Sequence, residues 1–331
     1  QAASDPVRLA QPGAVVAVWG LDSLQTNLPA NVSEVISVSA GYSHALAIRS
    51  DGTVVGWGNN NYGQTSPPFG LADVVAVAAD SFHSLALRAD GTVVGWGADS
   101  YGQASPPLGL NNVTAIAAGE YHSLALKGDG TVVAWGYDYY GQSTPPANLD
   151  NVVMVAAGYE FSVALKSDGS VVAWGRNDYA QTDVPPGLTG VVAISAGALH
   201  TLALQADGRV VAWGGAGFDG QTSVPAGLQG VVSVAAGGRH SFALKADGGI
   251  VAWGLTEEYS TLPASSFAAE SLVPFRLSGV TGIAAGGSFA LAYGPILLSG
   301  GPSNISRNEG DTAVFKVTSI RGGGPFSFQW R

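Results

Sequence analysis

Five histidines, His44, His83, His122, His200 and His240, fall at nearly regular intervals along this 331-residue chain. A ring of imidazoles would suit a metal site or a row of general bases near neutral pH. The same register also holds Phe161 and Phe289, and a benzyl ring neither ligates a metal nor moves a proton. The expectation is therefore structural: an imidazole that packs its ring and hydrogen-bonds neighbouring backbone. Aspartates recur as well, at Asp51, Asp90, Asp129, Asp168, Asp207 and Asp247, each followed by glycine. They lack the oxygen-rich spacing of a calcium loop, and turn chemistry accounts for them. There is no Gly-x-Ser-x-Gly elbow, phosphate loop, His-Glu-x-x-His motif or acid-base pair of carboxylates, and Glu257-Glu258 reads as a solvated acidic pair in a loop. The chain has no cysteine, so disulfides and thiolate metal sites are excluded. The sequence offers no catalytic residue, metal-ligand set or cofactor motif.

The remaining chemistry is recognition. Tyr42, Phe82, Tyr121, Tyr137, Tyr139 and Tyr159 stand in short turns, interleaved with Asp80, Glu120, Glu160, Asp99 and Asp138. Aromatics displayed on a rigid scaffold contribute large contact area at low entropic cost. These positions do not recur in every copy of the repeat described next. Tyr62, Tyr101, Tyr140, Tyr179 and Phe218 do recur, and are divided between packing and display.

The elements that carry these residues repeat. The stretch from His122 to Gly136 (HSLALKGDGTVVAWG) has siblings beginning at His44, His83, Phe161, His200 and His240. Trp57, Trp96, Trp135, Trp174 and Trp213 stand 39 residues apart, with Trp19 before them and Trp253 after. Within a copy, Leu124 to Leu126 and Thr131 to Gly136 are β-prone runs around an Asp-Gly turn, a strong hairpin signal. A third run, Val113 to Gly119, precedes the hairpin, and Gly141 to Pro146 leaves room for a short fourth strand. No copy shows helical periodicity. Small sheets at this period predict propeller blades around an axis. The chain opens mid-repeat at Ala14 to Gly20 and its last copy stops mid-repeat at Gly282 to Tyr293, so the two halves together make a seventh blade. The fold class is all-β: a seven-bladed β-propeller closed by the N-terminal strand. Parity then sets the faces. The Gly119-Glu120-Tyr121 and Tyr137 to Gln142 turns emerge on one side, and the Lys127 to Gly130 turns, with Arg49, Arg88, Lys166, Arg209 and Lys245, on the other.

Composition bounds the rest. Residues 1–13 read as a polar leader, 14–294 as the propeller and 295–331 as a separate segment. With 46% apolar residues the chain can bury a large core, whereas 11% charged residues is low against the usual quarter. A formal net charge of −10 without a basic run argues against nucleic acid or an anionic membrane as partner. No stretch of eighteen apolar residues predicts membrane insertion.

The pattern Ala-Ala-Gly-x-x-His-Ser-Leu-Ala-Leu, Asp-Gly-x-Val-x-x-Trp-Gly, Gly-Gln resembles the repeat of the regulator of chromosome condensation family, seven-bladed propellers, across residues 14 to 294. The short repeat and the Gln-Thr-x-Val-Pro steps at Gln181 to Pro185 and Gln221 to Pro225 look closer still to the bacterial propeller-type β-lactamase inhibitory proteins. That resemblance implies a partner gripped by aromatic and acidic loop residues on one face. Residues 295–331, with Glu309 to Phe315 and Phe328-Gln329-Trp330, resemble the first half of an immunoglobulin-like β-sandwich. The chromosomal family member is a nuclear exchange factor acting on chromatin, which an acidic chain with a sandwich remnant does not fit. The expectation is a non-catalytic bacterial propeller, extracellular or on the cell surface, that binds a protein or glycan in adhesion or scaffolding. A secreted enzyme inhibitor is the second reading, and an accessory domain of an extracellular hydrolase the third.

Overall fold

The computed structural model describes residues 15–20, 27–29, 32–215, 220–254, 273, 277–298 and 316–317. The leader, the Glu257-Glu258 loop, Phe218 and nearly all of the immunoglobulin-like stretch lie outside these residues. The chain starts with strand β1 (Val15–Gly20). Blade one follows as β2 (Val35–Ala40), β3 (His44–Arg49) and β4 (Val54–Gly58), and blade two as β5 (Val74–Ala79), β6 (His83–Arg88) and β7 (Val93–Gly97). Blade three is β8 (Val113–Ala118), β9 (His122–Lys127) and β10 (Val132–Gly136); blade four is β11 (Val152–Ala157), β12 (Phe161–Lys166) and β13 (Val171–Gly175). Blade five is β14 (Val191–Ala196), β15 (His200–Gln205) and β16 (Val210–Gly214); blade six is β17 (Val231–Ala236), β18 (His240–Lys245) and β19 (Ile250–Gly254). Each is an antiparallel meander with its middle strand central.

After a two-residue strand β20 (Leu277–Ser278) come β21 (Gly282–Ala285), β22 (Phe289–Gly294), β23 (Leu297–Leu298) and β24 (Lys316–Val317). The seventh blade has the order β21-β22-β1-β24, so the N-terminal strand closes the ring in the register Val15↔Gly294 to Gly20↔Phe289. Strand β21 lies against β2 on one side and β17 on the other. The two residues of β24 pair with Ala17 and Val18 at the outer edge of this blade. Within 295–331 they are, with 295–298, what the structure describes, and β23 pairs with β20. The fourth strand expected at Gly141 to Pro146 is absent. Its backbone is committed elsewhere: the Ser143 N–H donates to Asp138 Oδ1 (2.7 Å) and the Thr144 N–H to the Gly141 carbonyl (3.0 Å), and the segment turns.

The hairpins form as their Asp-Gly steps require. Asp129 Oδ1 accepts from the Thr131 N–H (3.0 Å) and hydroxyl (2.6 Å), and Gly130 takes φ +81°. Middle strands are buried on both faces because each is covered by a neighbouring blade on either side. The core accordingly lies between blades: Trp135 of blade three packs with Leu85 and Leu87 of blade two and with Val113, Ile116 and Ala125 of its own blade.

Polar groups complete each seam. The Gln64 carbonyl, following β4, accepts from Trp96 Nε1 (2.9 Å) and from the Ser84 hydroxyl (2.8 Å), both of blade two. Since Ser84 spends its only proton there, it accepts from His44 Nε2 (2.9 Å), which assigns the Nε2–H tautomer. The pattern repeats for His83 with Ser123, Gln103 and Trp135, for His122 with Ser162, Gln142 and Trp174, and for His200 with Ser241, Gln221 and Trp253. The imidazoles are structural as expected, although their partner is a side chain of the next blade rather than local backbone. Phe161 fits the same logic, since Thr201 in the serine position makes only a 3.4 Å bond to the Gln181 carbonyl. Phe289 faces a ring position whose neighbour in blade one is Ala45. His240 is the exception: Ala290 replaces the serine, and the imidazole bonds the Phe289 backbone instead.

Burial holds these histidines neutral, lowering His44, His122 and His200 to about 3 and His83 and His240 to about 4. Their contribution to stability is full above the unfolded value near 6.5 and is lost as pH falls toward the folded values. His122→Phe should therefore reduce proton uptake on unfolding by one, about 1.4 kcal/mol per pH unit below pH 6, read from denaturant melts as a function of pH. An unchanged slope would show that His122 is already charged in the fold. Removing residues 1–20, and with them β1, should lower the melting temperature of the whole ring in one transition. Survival of a six-blade unit at the parental temperature would contradict closure through β1.

Candidate functional site

The glutamine that supplies the seam carbonyl also aims the display loop. The Oε1 atoms of buried Gln64, Gln103, Gln142 and Gln181 accept from the N–H groups of Tyr62, Tyr101, Tyr140 and Tyr179, two residues back, at 2.8 to 2.9 Å. These tyrosines project outward, Tyr62 being 58% and Tyr101 52% exposed. Phe82 and Tyr121, from the turns before β6 and β9, stack with centroids 5.4 Å apart. Tyr62 meets Phe82 at 5.5 Å, and Tyr101 meets Tyr121 at 5.4 Å and Tyr137 at 4.7 Å. Tyr137 stacks on Tyr139 (6.4 Å), which abuts Tyr140 (4.9 Å). Tyr139 is 76% exposed, so the band is displayed rather than buried. It ends at Arg176, whose guanidinium lies 5.2 Å from the Tyr140 centroid and 5.7 Å from that of Tyr179.

Four of the six aromatics picked out in the sequence, Phe82, Tyr121, Tyr137 and Tyr139, thus join one band. Tyr42 and Tyr159 do not belong to it. They come from blades one and four and meet each other at 5.9 Å over the mouth of the axial cavity. Tyr62, Tyr101, Tyr140, Tyr179 and Arg176 were not among the expected site residues. Recurrence counted against the tyrosines, although recurrence of tyrosine, with its polar tip, was the available signal for display.

The acids divide by environment. Asp99 and Asp138 are loop clamps: Asp99 accepts from the Ala104 N–H (2.8 Å) and Ser105 hydroxyl (2.6 Å), and Asp138 from the Ser143 N–H and the Thr144 hydroxyl. Asn60 and Asn177 do the same work in blades one and four. Glu160 is bridged by Arg176 (2.6 Å), which also holds Asp178 (2.7 Å). Burial, aided by the charge of Glu160 and opposed by a bond from Tyr121 and by Arg176, pushes Glu120 up to about 7. Burial and then the charge of Glu120 push Asp80 up to about 8, against the pull of the Ser81 hydroxyl at 2.9 Å. The acids expected to steer a partner are held differently: burial favours the neutral forms of Asp80 and Glu120, while Glu160 is ion-paired with Arg176.

Asp80 also breaks the rule of its repeat. The equivalent position elsewhere is glycine, at Gly41, Gly119, Gly158, Gly197, Gly237 and Gly286, because a Cβ on Gly119 would overlap the Gly158 carbonyl and the His122 ring. The N–H of these glycines donates to a carbonyl three residues on at 2.8 to 2.9 Å, whereas that of Asp80 reaches only 3.5 Å. The cavity below, lined by the inner strands, measures about 140 Å³, under the roughly 300–1,000 Å³ of small-molecule sites. Among the described residues no group of three or more His, Cys, Asp or Glu could hold a metal.

The fold favours the neutral Asp80 acid, so its stabilising effect is full below the unfolded value near 4 and drains as pH rises through about 8. Asp80→Asn should melt a few degrees above the parent at pH 9 and close to it at pH 5. Equal melting at both pH values would mean that the carboxyl is hydrated and ionised.

With this geometry in place, the comparisons with known proteins can be stated. The profile of the regulator of chromosome condensation (RCC1) repeat matches residues 35–64, 74–103, 113–142, 152–181, 191–221 and 231–259. No curated protein sequence matches the chain. Among solved structures, Prp20p from Saccharomyces cerevisiae, reported with its binding properties to Gsp1p and histones, superposes with a TM-score of 0.73 at 21% identity, covering 90% of this chain and 94% of that one. Yeast RCC1 (Prp20) bound to Kap60 gives 0.70 at 21% identity over 88% and 91%. Human WBSCR16 gives 0.62 at 19% identity over 85% and 98%. These likenesses carry the fold; the tandem matches over more than half of the chain place it in the regulator of chromosome condensation (RCC1) repeat family.

Proposed function

We propose that this propeller is a non-catalytic docking module, secreted or on a bacterial cell surface, whose tyrosine band grips a protein in adhesion or scaffolding. The single observation that carries the reading is the continuity of the band from Tyr62 to Tyr140. Its loops are pinned by buried glutamines, so little freedom is lost on binding. The similar yeast propeller binds proteins, as its description with Gsp1p and histones and its capture with Kap60 state, which favours a protein over a glycan. The acidic balance, with a net charge of −10, and the immunoglobulin-like resemblance of residues 295–331 support the extracellular placement. An inhibitor of a secreted enzyme is the second reading, favoured by the Gln-Thr-x-Val-Pro steps, and a β-lactamase inhibition assay separates the two.

Binding energy at such a face concentrates in central aromatics. With a partner isolated by affinity capture, Tyr121→Ala should weaken binding by about 2 kcal/mol, and Lys127→Ala on the opposite face should leave it unchanged, both measured by surface plasmon resonance. Sensitivity to Lys127 with indifference to Tyr121 would reverse the assignment of the face, and binding to a glycan array alone would replace the protein partner.

A further inference from the structure

At the axial mouth the blades are laced to one another by backbone bonds. The N–H groups of Glu120, Tyr159, Ala198, Gly238 and Gly287, each second in its turn, donate to carbonyls of the following blade at 2.9 to 3.3 Å. The residue before each is a glycine, and on every glycine of this position a Cβ would overlap the carbonyl of the matching residue one blade on. Gly41 would meet Asp80, Gly119 would meet Gly158, Gly158 would meet Gly197, and so round the ring. Asp80 alone carries that Cβ, which the same rule aims at Gly119 of blade three. Its own turn bond is stretched to 3.5 Å. The N–H of Ser81, second in this turn, bonds the Asp80 carboxyl instead of blade three, and so does the Ser81 hydroxyl at 2.9 Å.

At the seam between blades two and three, side chains thus stand where backbone lacing stands elsewhere, and both are acids tied to the tyrosine band. Asp80 is bonded to Ser81, which Phe82 follows; Glu120 is bonded by the Tyr121 hydroxyl. Phe82 and Tyr121 stack across this same seam at 5.4 Å, and through them Tyr62 is joined to the rest of the band. Glu120 lies in the field of Asp80 on one side and of Glu160 and Arg176 on the other. From blade one the turn Gly41-Tyr42 brings no charge, and His83, next after Phe82, is held neutral by burial.

We infer that this seam is a proton-operated joint: with Asp80 and Glu120 protonated the Phe82–Tyr121 stack is closed, and when both ionise their repulsion parts the stack and interrupts the band. For its consequence, that a partner held in acid is released in base, the inference rests on the band as the docking face. The direction of opening follows from what each acid carries. Ionised Glu120 is drawn toward Arg176, on the blade-four side, and takes Tyr121 with it through their hydrogen bond. Asp80 keeps Phe82, two residues on, with blade two, and the Ser81 N–H, turned to Asp80, does not cross the seam to resist. Like charges in a poorly solvated seam repel far more strongly than in water. Burial sets the interval, holding Glu120 up at about 7 and Asp80 at about 8, so the joint opens as pH rises through these values. The hairpin aspartates, pulled below the usual carboxylate range by their turn bonds, are ionised throughout this interval, and the seam histidines are neutral.

The test replaces Phe82 of the full chain by 4-fluorophenylalanine and follows its fluorine resonance by NMR. Stacked on Tyr121 the fluorine is shielded, so the resonance should move downfield between pH 6 and pH 9, and should keep its acid position in the Asp80→Asn/Glu120→Gln variant. In Tyr121→Leu the movement should vanish with the shielding ring. Movement of undiminished size there would mean a field effect without separation and would overturn the inference, as would a parental resonance indifferent to pH. Glu120→Gln alone serves if the double variant does not fold. It removes the charge that raises Asp80, so the remaining midpoint should lie below the upper parental one, and an unmoved midpoint would disprove the coupling. A partner captured at pH 6 should bind the parent about tenfold more weakly at pH 9, within what one linked proton allows, and the double variant should lose this difference. The same pH dependence in both, or none in the parent, would overturn the regulation while leaving the docking face standing; a partner indifferent to Tyr121→Ala at either pH would remove the docking face itself.

Discussion

Each of four seams in this ring turns on one backbone carbonyl, that of a buried glutamine, accepting from a tryptophan indole and a serine hydroxyl of the next blade while the serine accepts from a histidine. A single hydrogen bond of this kind contributes about 0.5–1.5 kcal/mol net, but leaving one of its buried partners unsatisfied costs about 1–3 kcal/mol. The chain of bonds therefore specifies more than it stabilises. It admits one register between adjacent blades, and the aliphatic packing around each tryptophan supplies most of the energy. Because the last blade borrows β1 from the other end of the chain, an error at any seam has no free edge at which to dissipate.

The same glutamines connect this framework to recognition. Their backbone carbonyls hold the next blade, while their side-chain oxygens fix the N–H of the tyrosine two residues earlier. Packing and display are thus coupled within one residue. A loop aimed from a buried anchor presents its aromatic ring with little orientational freedom, which is the property a recognition surface gains most from.

Where the repeat departs from itself, its geometry shows the cost. Asp80 stretches a turn bond that six glycines keep short. Thr201 follows Phe161 and loosens its bond to Gln181. His240 meets an alanine and turns to backbone. The large turn residues, Phe82, Tyr121, Tyr137 and Arg176 among them, gather in blades two to four, while blades five and six hold smaller residues at corresponding turns, such as Gly197-Ala198 and Gly237-Gly238. The ring is nearly symmetric in its framework and asymmetric in what it presents.

Much of the fold was legible in the sequence because its causes are local. The Asp-Gly turns, the alternation of the strands and the tryptophan period all act within a single copy, and parity alone placed Phe82, Tyr121, Tyr137 and Tyr139 on one face. Phe161 and Phe289 in the histidine register pointed to a packing role for the imidazoles. What the linear pattern could not decide depends on neighbours about 40 or more residues away. The serine partner of each histidine sits in the following blade. The meeting of Tyr42 with Tyr159 spans three blades. The upward pKa shifts of Asp80 and Glu120 arise from burial and from a carboxylate of the following blade, Glu120 beside Asp80 and Glu160 beside Glu120. The room left for a fourth strand at Gly141 to Pro146 is the local exception: Asp138, five residues before Ser143, takes up the backbone hydrogen bond a ladder would need. Periodicity determines which elements form and which way they face; the contacts across seams, formed between residues remote in the chain, decide which side chains remain free to meet a partner.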